Sequence, residues 1–229
     1  MKIKPSSRRP AAGGDARAFT LIELLVVISV IALIAAFTVP VLKSAKRMQF
    51  LRTAGGELEQ LQAALDNYKA KYGFYPPGNA GTSIQAALTN QLYYELSGTI
   101  YNGSSYVTLD GGSAISIAMV TNTFLVGGFV NCTKGSGEDA VLANNFLSGL
   151  RQNRIGSAAG VNVLITSVRG PDDDYSPLGA ANVNPFRYLY PGVRNPATYD
   201  LWIQLVISGK TNLICNWNRQ VQINNSSVP

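Results

Sequence analysis

The longest apolar run in the chain extends from Phe19 to Leu42, and its length is that of a membrane-spanning helix. Sixteen of its twenty-four residues are Leu, Ile, Val or Phe, and Glu23 is the only charged residue in it. As a helix the run is roughly 36 Å long, enough for a hydrocarbon core of about 30 Å. Inserting its apolar side chains contributes roughly −7 kcal/mol, which outweighs about 3 kcal/mol for one charge. We therefore predict a membrane helix over residues 19–42.

Residues 43–72 continue with an amphipathic pattern. The helix is expected to end near Tyr72, because Gly73 suits the left-handed position after a helix and Pro76 follows shortly. We expect the apolar stripe to pack against the chain's own head, with a coiled-coil seam as the alternative. The stripe consists of Leu51, Ala54, Leu58, Leu61, Leu65, Tyr68 and Tyr72.

Residues 73–229 are long enough for one globular head. Helical spacing of apolar residues predicts helices over 83–96 and 137–150, and glycine pairs between them favour short strands or loops over 106–130. The part from about residue 78 to 160 is interpreted as a variable insertion, and loops there are candidates for partner recognition.

The last part of the chain has the composition of β-strands. Runs over 161–168, 186–190, 199–207 and 211–217 are rich in Val, Ile, Tyr and Trp and are separated by turn residues. The segment Ser208-Gly209-Lys210 is short enough to join the last two as a hairpin. Antiparallel strands packed on the amphipathic helix predict an α+β fold.

Residues 1–18 form a basic leader with no apolar stretch. They contain five Lys or Arg residues and one Asp. The chain as a whole carries a net charge of +6, but from Phe19 onward fourteen basic residues face twelve acidic ones, which leaves +2. The basic balance therefore gives no reason to expect a nucleic-acid partner.

The chain contains no histidine. Ser-His-Asp and Cys-His catalysis are thus excluded, and the commonest metal ligand is missing. We expect no enzymatic activity.

The stretch over residues 18–28 reads AFTLIELLVVI and stands behind the basic leader. It resembles the prepilin processing signal of type IV pilins and type II secretion pseudopilins. The resemblance implies cleavage between Ala18 and Phe19 by a prepilin peptidase, followed by N-methylation of Phe19. Ala18 stands where the family usually has Gly, and Pro40 stands where it usually has a helix-bending proline.

Glu23 lies four residues beyond the implied cut. If the chain begins at Phe19, a neighbouring subunit's Glu23 can neutralise the new amino group, which favours one stagger between subunits. The sequence offers this carboxylate no partner within its own helix. The alternative is that Glu23 lies at headgroup depth and is merely solvated.

Three carboxyl-terminal segments, 184–188, 190–192 and 199–202, resemble the major pseudopilin of type II secretion, as does the helix end at 68–76. The implied fold is pilin-like, with a long amino-terminal helix on a small antiparallel sheet. The implied function is that of a structural subunit of a type II secretion pseudopilus. The alternatives are a type IV pilin for adhesion, motility or DNA uptake, and a membrane-tethered envelope enzyme.

The same resemblance implies a location and a set of partners. The chain is expected in the bacterial inner membrane with a periplasmic head, and then in the pseudopilus. Its expected partners are copies of itself, other pseudopilins, the prepilin peptidase, the inner-membrane assembly platform and the membrane.

The residues alone suggest two further sites, a calcium site and a disulfide, each with an alternative interpretation. Asp172, Asp173 and Asp174 supply oxygen ligands of the kind that calcium takes, with a solvated acidic turn as the alternative. No other cofactor is expected. Cys132 and Cys215 form a disulfide if an oxidising compartment brings them together, and otherwise are two small buried apolar side chains.

Overall fold

One long helix, α1, runs from Leu21 to Tyr72 in a computed structural model that describes residues 19–80, 83–135, 140–172 and 174–224. The chain divides into two compact units, one up to Ala45 and one from Lys46 onward, and α1 contributes to both. The predicted α+β class and long amino-terminal helix are confirmed.

The part of α1 in the first unit has no apolar partner among the described residues. Its large apolar side chains are exposed, from 50% at Val30 to 82% at Leu21. The hydroxyls of Ser29 and Thr38 donate to carbonyl oxygens four residues earlier, at 2.7 and 2.8 Å. These two hydroxyls are thus satisfied by the helix's own backbone, as a lipid environment requires.

In the second unit, α1 presents the predicted stripe to the core. Ala54, Leu58, Leu61, Leu65 and Tyr68 are all at most 3% exposed. Gly73 follows the helix with a φ of +83°, and its N–H donates to the carbonyl of Lys69 at 2.8 Å. The left-handed residue after the helix is therefore where the sequence predicts it.

The middle of the chain forms short helices and a four-stranded sheet in the order β3-β2-β1-β4, in which β1 and β4 are parallel. The helices are α2 (Ile84–Leu88), α3 (Leu92–Ser97) and α4 (Ile117–Phe124), and the strands are β1 (Thr99–Tyr101), β2 (Ser105–Thr108), β3 (Ala114–Ser116) and β4 (Cys132–Thr133). A 3₁₀ helix over Gln152–Arg154 leads into the hairpin of β5 (Ile155–Ala158) and β6 (Val161–Leu164).

The carboxyl-terminal sheet is antiparallel in the order β10-β9-β8-β7. Its strands are β7 (Arg187–Leu189), β8 (Asp200–Ile207), β9 (Lys210–Cys215) and β10 (Asn218–Ile223). The face of β8 that carries Leu201, Ile203 and Leu205 joins the stripe of α1 in one core. Ser208 and Gly209 have φ values of +53° and +70°, the signature of a tight two-residue hairpin turn.

Three sequence predictions for the head are wrong. The predicted helix over 83–96 is two helices, α2 and α3. Residues 140–150 of the predicted helix over 137–150 are not helical, and α4 forms where strands or loops were expected. Residue 141 instead makes an isolated bridge with Lys134.

Two buried carboxylates connect α1 to the rest of its unit. Glu57 accepts hydrogen bonds from the Thr166 hydroxyl and from the backbone and hydroxyl of Ser167, and lies 3.6 Å from Nε of Arg154. Glu57 does not belong to the apolar stripe of α1, yet only 8% of it is exposed.

Glu95 of α3 is fully buried. It accepts hydrogen bonds from the backbone N–H groups of Val130 and Asn131 at 2.7 and 3.0 Å, and from the Tyr68 hydroxyl of α1 at 2.9 Å. Burial raises the pKa of Glu95, and these hydrogen bonds oppose the shift only in part.

Candidate functional site

The start of α1 is closed by a reciprocal pair of side chains, Thr20 and Glu23. Thr20 is the residue before the helix, and its hydroxyl oxygen accepts from the N–H of Glu23 at 3.3 Å. The Glu23 carboxylate in turn accepts from the N–H and the hydroxyl of Thr20, at 3.0 and 2.7 Å. This arrangement is a capping box, which satisfies backbone donors that the first helical turn leaves free.

The capping box corrects the expectation that Glu23 has no partner within its own helix. Thr20 is that partner, and the sequence signal that reveals it is a Thr followed three residues later by Glu, directly before an apolar run. All the hydrogen bonds between the described residues and this carboxylate go to Oε2. Among those residues, Oε1 has no donor.

Glu23 is exposed in a shallow depression among apolar side chains. Phe19, Ile22, Val26 and Val27 line it together with Glu23, and the depression has a volume of about 350 Å³. Phe19 is 79% exposed. An exposed carboxylate with one oxygen free of donors from the described residues is thus surrounded by apolar side chains, and once lipid or other helices cover it a charged partner would be favoured over an uncharged one.

The predicted processing and assembly site contains two more residues, Ala18 and Pro40. Ala18 lies outside the described residues. Pro40 lies inside α1, and because proline has no N–H, the carbonyl of Ala36 lacks its ordinary helical donor.

The predicted calcium cluster is only partly described. Asp172 accepts hydrogen bonds from the N–H groups of Ser208 and Gly209 at 3.1 and 2.9 Å, so its carboxylate holds the turn between β8 and β9. Asp174 is exposed, and Asp173 lies outside the described residues. The described residues contain no group of three or more Asp, Glu, His or Cys side chains suited to a metal ion.

Cys132 and Cys215 are both buried free thiols. Cys132 belongs to the core around α1, whereas Cys215 belongs to a second cluster with Ala87, Leu189 and Trp202. The structure therefore does not bring the two sulfurs together as a disulfide.

Residues 15–39 match the family model described as the prokaryotic N-terminal methylation motif. No curated protein and no solved structure was found to match the chain. The chain carries a type IV pilin-like prepilin signal, and the matched stretch includes Phe19, Thr20 and Glu23. Such a signal implies processing by a prepilin peptidase and points to a structural subunit that assembles into a filament.

The helix that bears the signal is long and apolar enough to cross a membrane. Its most apolar 18-residue window has a mean hydropathy of 2.8, and none of that window is buried by the described residues. This agrees with membrane anchoring of a pilin-like precursor through its amino-terminal helix.

Proposed function

We propose that this chain is a structural subunit of a type II secretion pseudopilus. A prepilin peptidase cleaves it between Ala18 and Phe19, and Phe19 is then N-methylated. The methylation motif over residues 15–39 carries the proposal. The processed chain stays in the inner membrane with its head in the periplasm, and it enters the filament when the assembly platform extracts its helix.

The geometry at Glu23 supports different partners for its two carboxylate oxygens. Oε2 is used by Thr20, which keeps the first turn of α1 in place. Oε1 is the oxygen that a neighbouring subunit's Phe19 amine takes in the filament. Because an unpaired charge among apolar side chains is costly, this pair selects one stagger between adjacent helices.

The pseudopilus is preferred to a type IV pilus because of the carboxyl-terminal segments. Asp200, in the segment 199–202, accepts hydrogen bonds from the three N–H groups that directly follow the segment 190–192, those of residues 193–195, at 2.7, 2.7 and 2.9 Å. A Cβ at Gly192 would lie 2.7 Å from the Asp200 carboxylate, so the close approach requires glycine. The two segments thus act as one structural unit.

Processing is tested by the intact mass and amino-terminal residue of the protein extracted from its native membrane. A chain that begins at N-methylated Phe19 supports the proposal. A chain that retains residues 1–18 contradicts it.

The kind of filament is tested by deleting the gene in the native cell. We expect proteins normally found in the culture medium to accumulate in the periplasm, while surface pili and twitching motility are unchanged. Loss of surface pili with secretion intact would assign the chain to a type IV pilus instead.

A further inference from the structure

A cleft of about 600 Å³ lies beside the middle of α1, within the unit that begins at Lys46. One wall is α1, with Glu57, Gln60 and Ala63. The other wall is the segment 146–151 and the 3₁₀ helix that follows it. Its volume lies within the range of about 300–1,000 Å³ that is usual for pockets that bind small ligands.

The cleft combines an apolar floor with a polar rim. Leu61 of α1 is fully buried at its base, and Phe146, Leu147 and Leu150 are partly buried against the core. Ser148, Asn153 and Arg151 line the rim, and Arg151 and Asn153 are exposed. A ligand in this cleft therefore meets both aliphatic surface and hydrogen-bond donors.

Arg154 brings a buried cation to the cleft. It is 8% exposed; its Nη1 donates to Gln60 at 3.0 Å and its Nη2 to the Glu57 carbonyl at 3.5 Å. Its Nε has no hydrogen-bond partner among the described residues, although Glu57 Oε1 lies 3.6 Å away. A guanidinium has five N–H donors in a planar fork, so one proton on each Nη is left for a ligand, whereas the buried Nε faces Glu57.

Glu57 forms an ion pair with Arg154 on the Nε side and leaves those Nη protons free. Its carboxylate already accepts from Thr166 and Ser167, which are not part of α1. The two arginines and one glutamate that line the cleft leave a formal charge of +1. A net positive lining attracts an anion, and an anion attached to an apolar group also uses the apolar floor, which inorganic phosphate cannot do.

We propose that this cleft binds a peptide segment of a partner protein that carries one carboxylate next to an apolar side chain. Arg151 and the remaining Nη protons of Arg154 hold the carboxylate, because guanidinium groups match its planar geometry. The apolar side chain packs on the accessible surface of Phe146, Leu147 and Leu150. This binding does not depend on filament assembly.

The proposal is tested on the full chain in nonionic detergent micelles, with arginine side chains labelled with ¹⁵N. The capped dipeptide acetyl-Leu-Glu-amide is titrated, and the Nε–H resonances are followed by NMR. Acetyl-Leu-Gln-amide is the uncharged control, and inorganic phosphate tests the alternative anion. We expect a saturable shift with the first peptide and no saturable shift with the second.

Three variants make the assignment specific. Arg151→Gln is expected to weaken binding of acetyl-Leu-Glu-amide about tenfold, as for loss of a hydrogen bond to a charged group. Ala63→Phe fills the cleft from an exposed position of α1 and is expected to abolish binding. Ala70→Phe makes the same change on the same helix outside the cleft, and binding should be unchanged.

The proposal is overturned by any of three results. The first is equal binding of the two peptides, and the second is wild-type affinity in Ala63→Phe. The third is phosphate binding as tight as that of acetyl-Leu-Glu-amide, which would make the cleft a general anion site.

Discussion

At the scale of single residues, the buried carboxylates Glu57 and Glu95 are compensated differently. Glu57 has an ion-pair partner in Arg154 as well as hydrogen-bond donors. Glu95 has hydrogen-bond donors but no ion pair with any described residue. Removal of Glu57 leaves the buried Arg154 cation without its ion-pair partner. Burial disfavours the ionised form of Glu95.

Substitution of Glu57 is expected to destabilise the head strongly. Glu57→Ala leaves Arg154 without its partner and removes the acceptor of Thr166 and Ser167, which should lower the free energy of unfolding by about 3–5 kcal/mol. Glu59→Ala, at an exposed position one residue beyond Leu58 on the same helix, should change it by less than about 0.5 kcal/mol. Urea unfolding of both variants measures the difference, and equal effects would contradict the assigned role.

Glu95 should make stability depend on pH. The pKa of Glu95 in the folded protein is raised above the ordinary 4.5. At pH values between the unfolded-state pKa and the folded-state pKa, the folded state therefore binds more protons than the unfolded state. The free energy of unfolding should therefore fall as pH rises through that interval. Thermal unfolding at a series of pH values tests this, and Glu95→Gln should remove this component of the slope. A variant with the wild-type slope would show that Glu95 does not titrate in this interval.

Sequence patterns could not distinguish Glu57 from Glu59. Both are acidic residues of one amphipathic helix, and the apolar stripe alone places both away from the core. What buries Glu57 are donors more than 100 residues later in the chain. The stripe itself was predictable because helical spacing determines which side chains share a face.

At the scale of elements, the capping box at the start of α1 makes a specific prediction. Thr20→Val removes the hydroxyl that both accepts from and donates to Glu23. Amide hydrogen exchange in the first turn should become about fivefold faster, as for loss of an ordinary helix cap. Thr38→Val is the control, because that hydroxyl bonds only to a carbonyl within the helix. Unchanged exchange in Thr20→Val would mean that the cap does not hold the helix start.

The turn between β8 and β9 should depend on Asp172. Asp172→Ala removes the acceptor for two backbone N–H groups and is expected to lower the free energy of unfolding by about 1–3 kcal/mol. Asp174→Ala changes an exposed carboxylate and should have little effect. The same variants test the predicted calcium site: a thermal midpoint that rises with calcium in the wild type but not in Asp172→Ala would support it.

The elements that sequence reasoning missed are those decided by distant contacts. The break between α2 and α3 contains Asn90, whose side chain donates to the carbonyls of Ala87 and Phe186. Residues 140–150 are held in a non-helical conformation by partners such as Asn131, whose side chain bonds to the backbone of Asn144. Only α4 had a local signal, since Ser116 caps it by accepting from the N–H of Met119.

At the scale of the whole molecule, the two units of the chain have opposite relations to solvent. The first exposes an apolar helix whose Ser29 and Thr38 hydroxyls are satisfied by its own backbone, and the second buries its apolar surface in its own core. The first unit is therefore complete only in lipid or in a bundle with other helices. Sequence reasoning could predict this division because it rests on length and composition alone, whereas the details of the head depend on long-range contacts.

The proposed assembly makes its sharpest prediction for Glu23→Gln. The amide oxygen of Gln can still accept from Thr20, so the helix start should be retained, whereas the negative charge for a neighbouring Phe19 amine is lost. We expect the mature amino terminus to form normally, and the yield of sheared filaments to fall at least about tenfold relative to wild type. Glu59→Gln, a charge loss on the exposed face of the same helix, should assemble normally. Filaments at wild-type yield in Glu23→Gln would contradict charge pairing and leave Glu23 with the capping role alone, because that role survives the substitution.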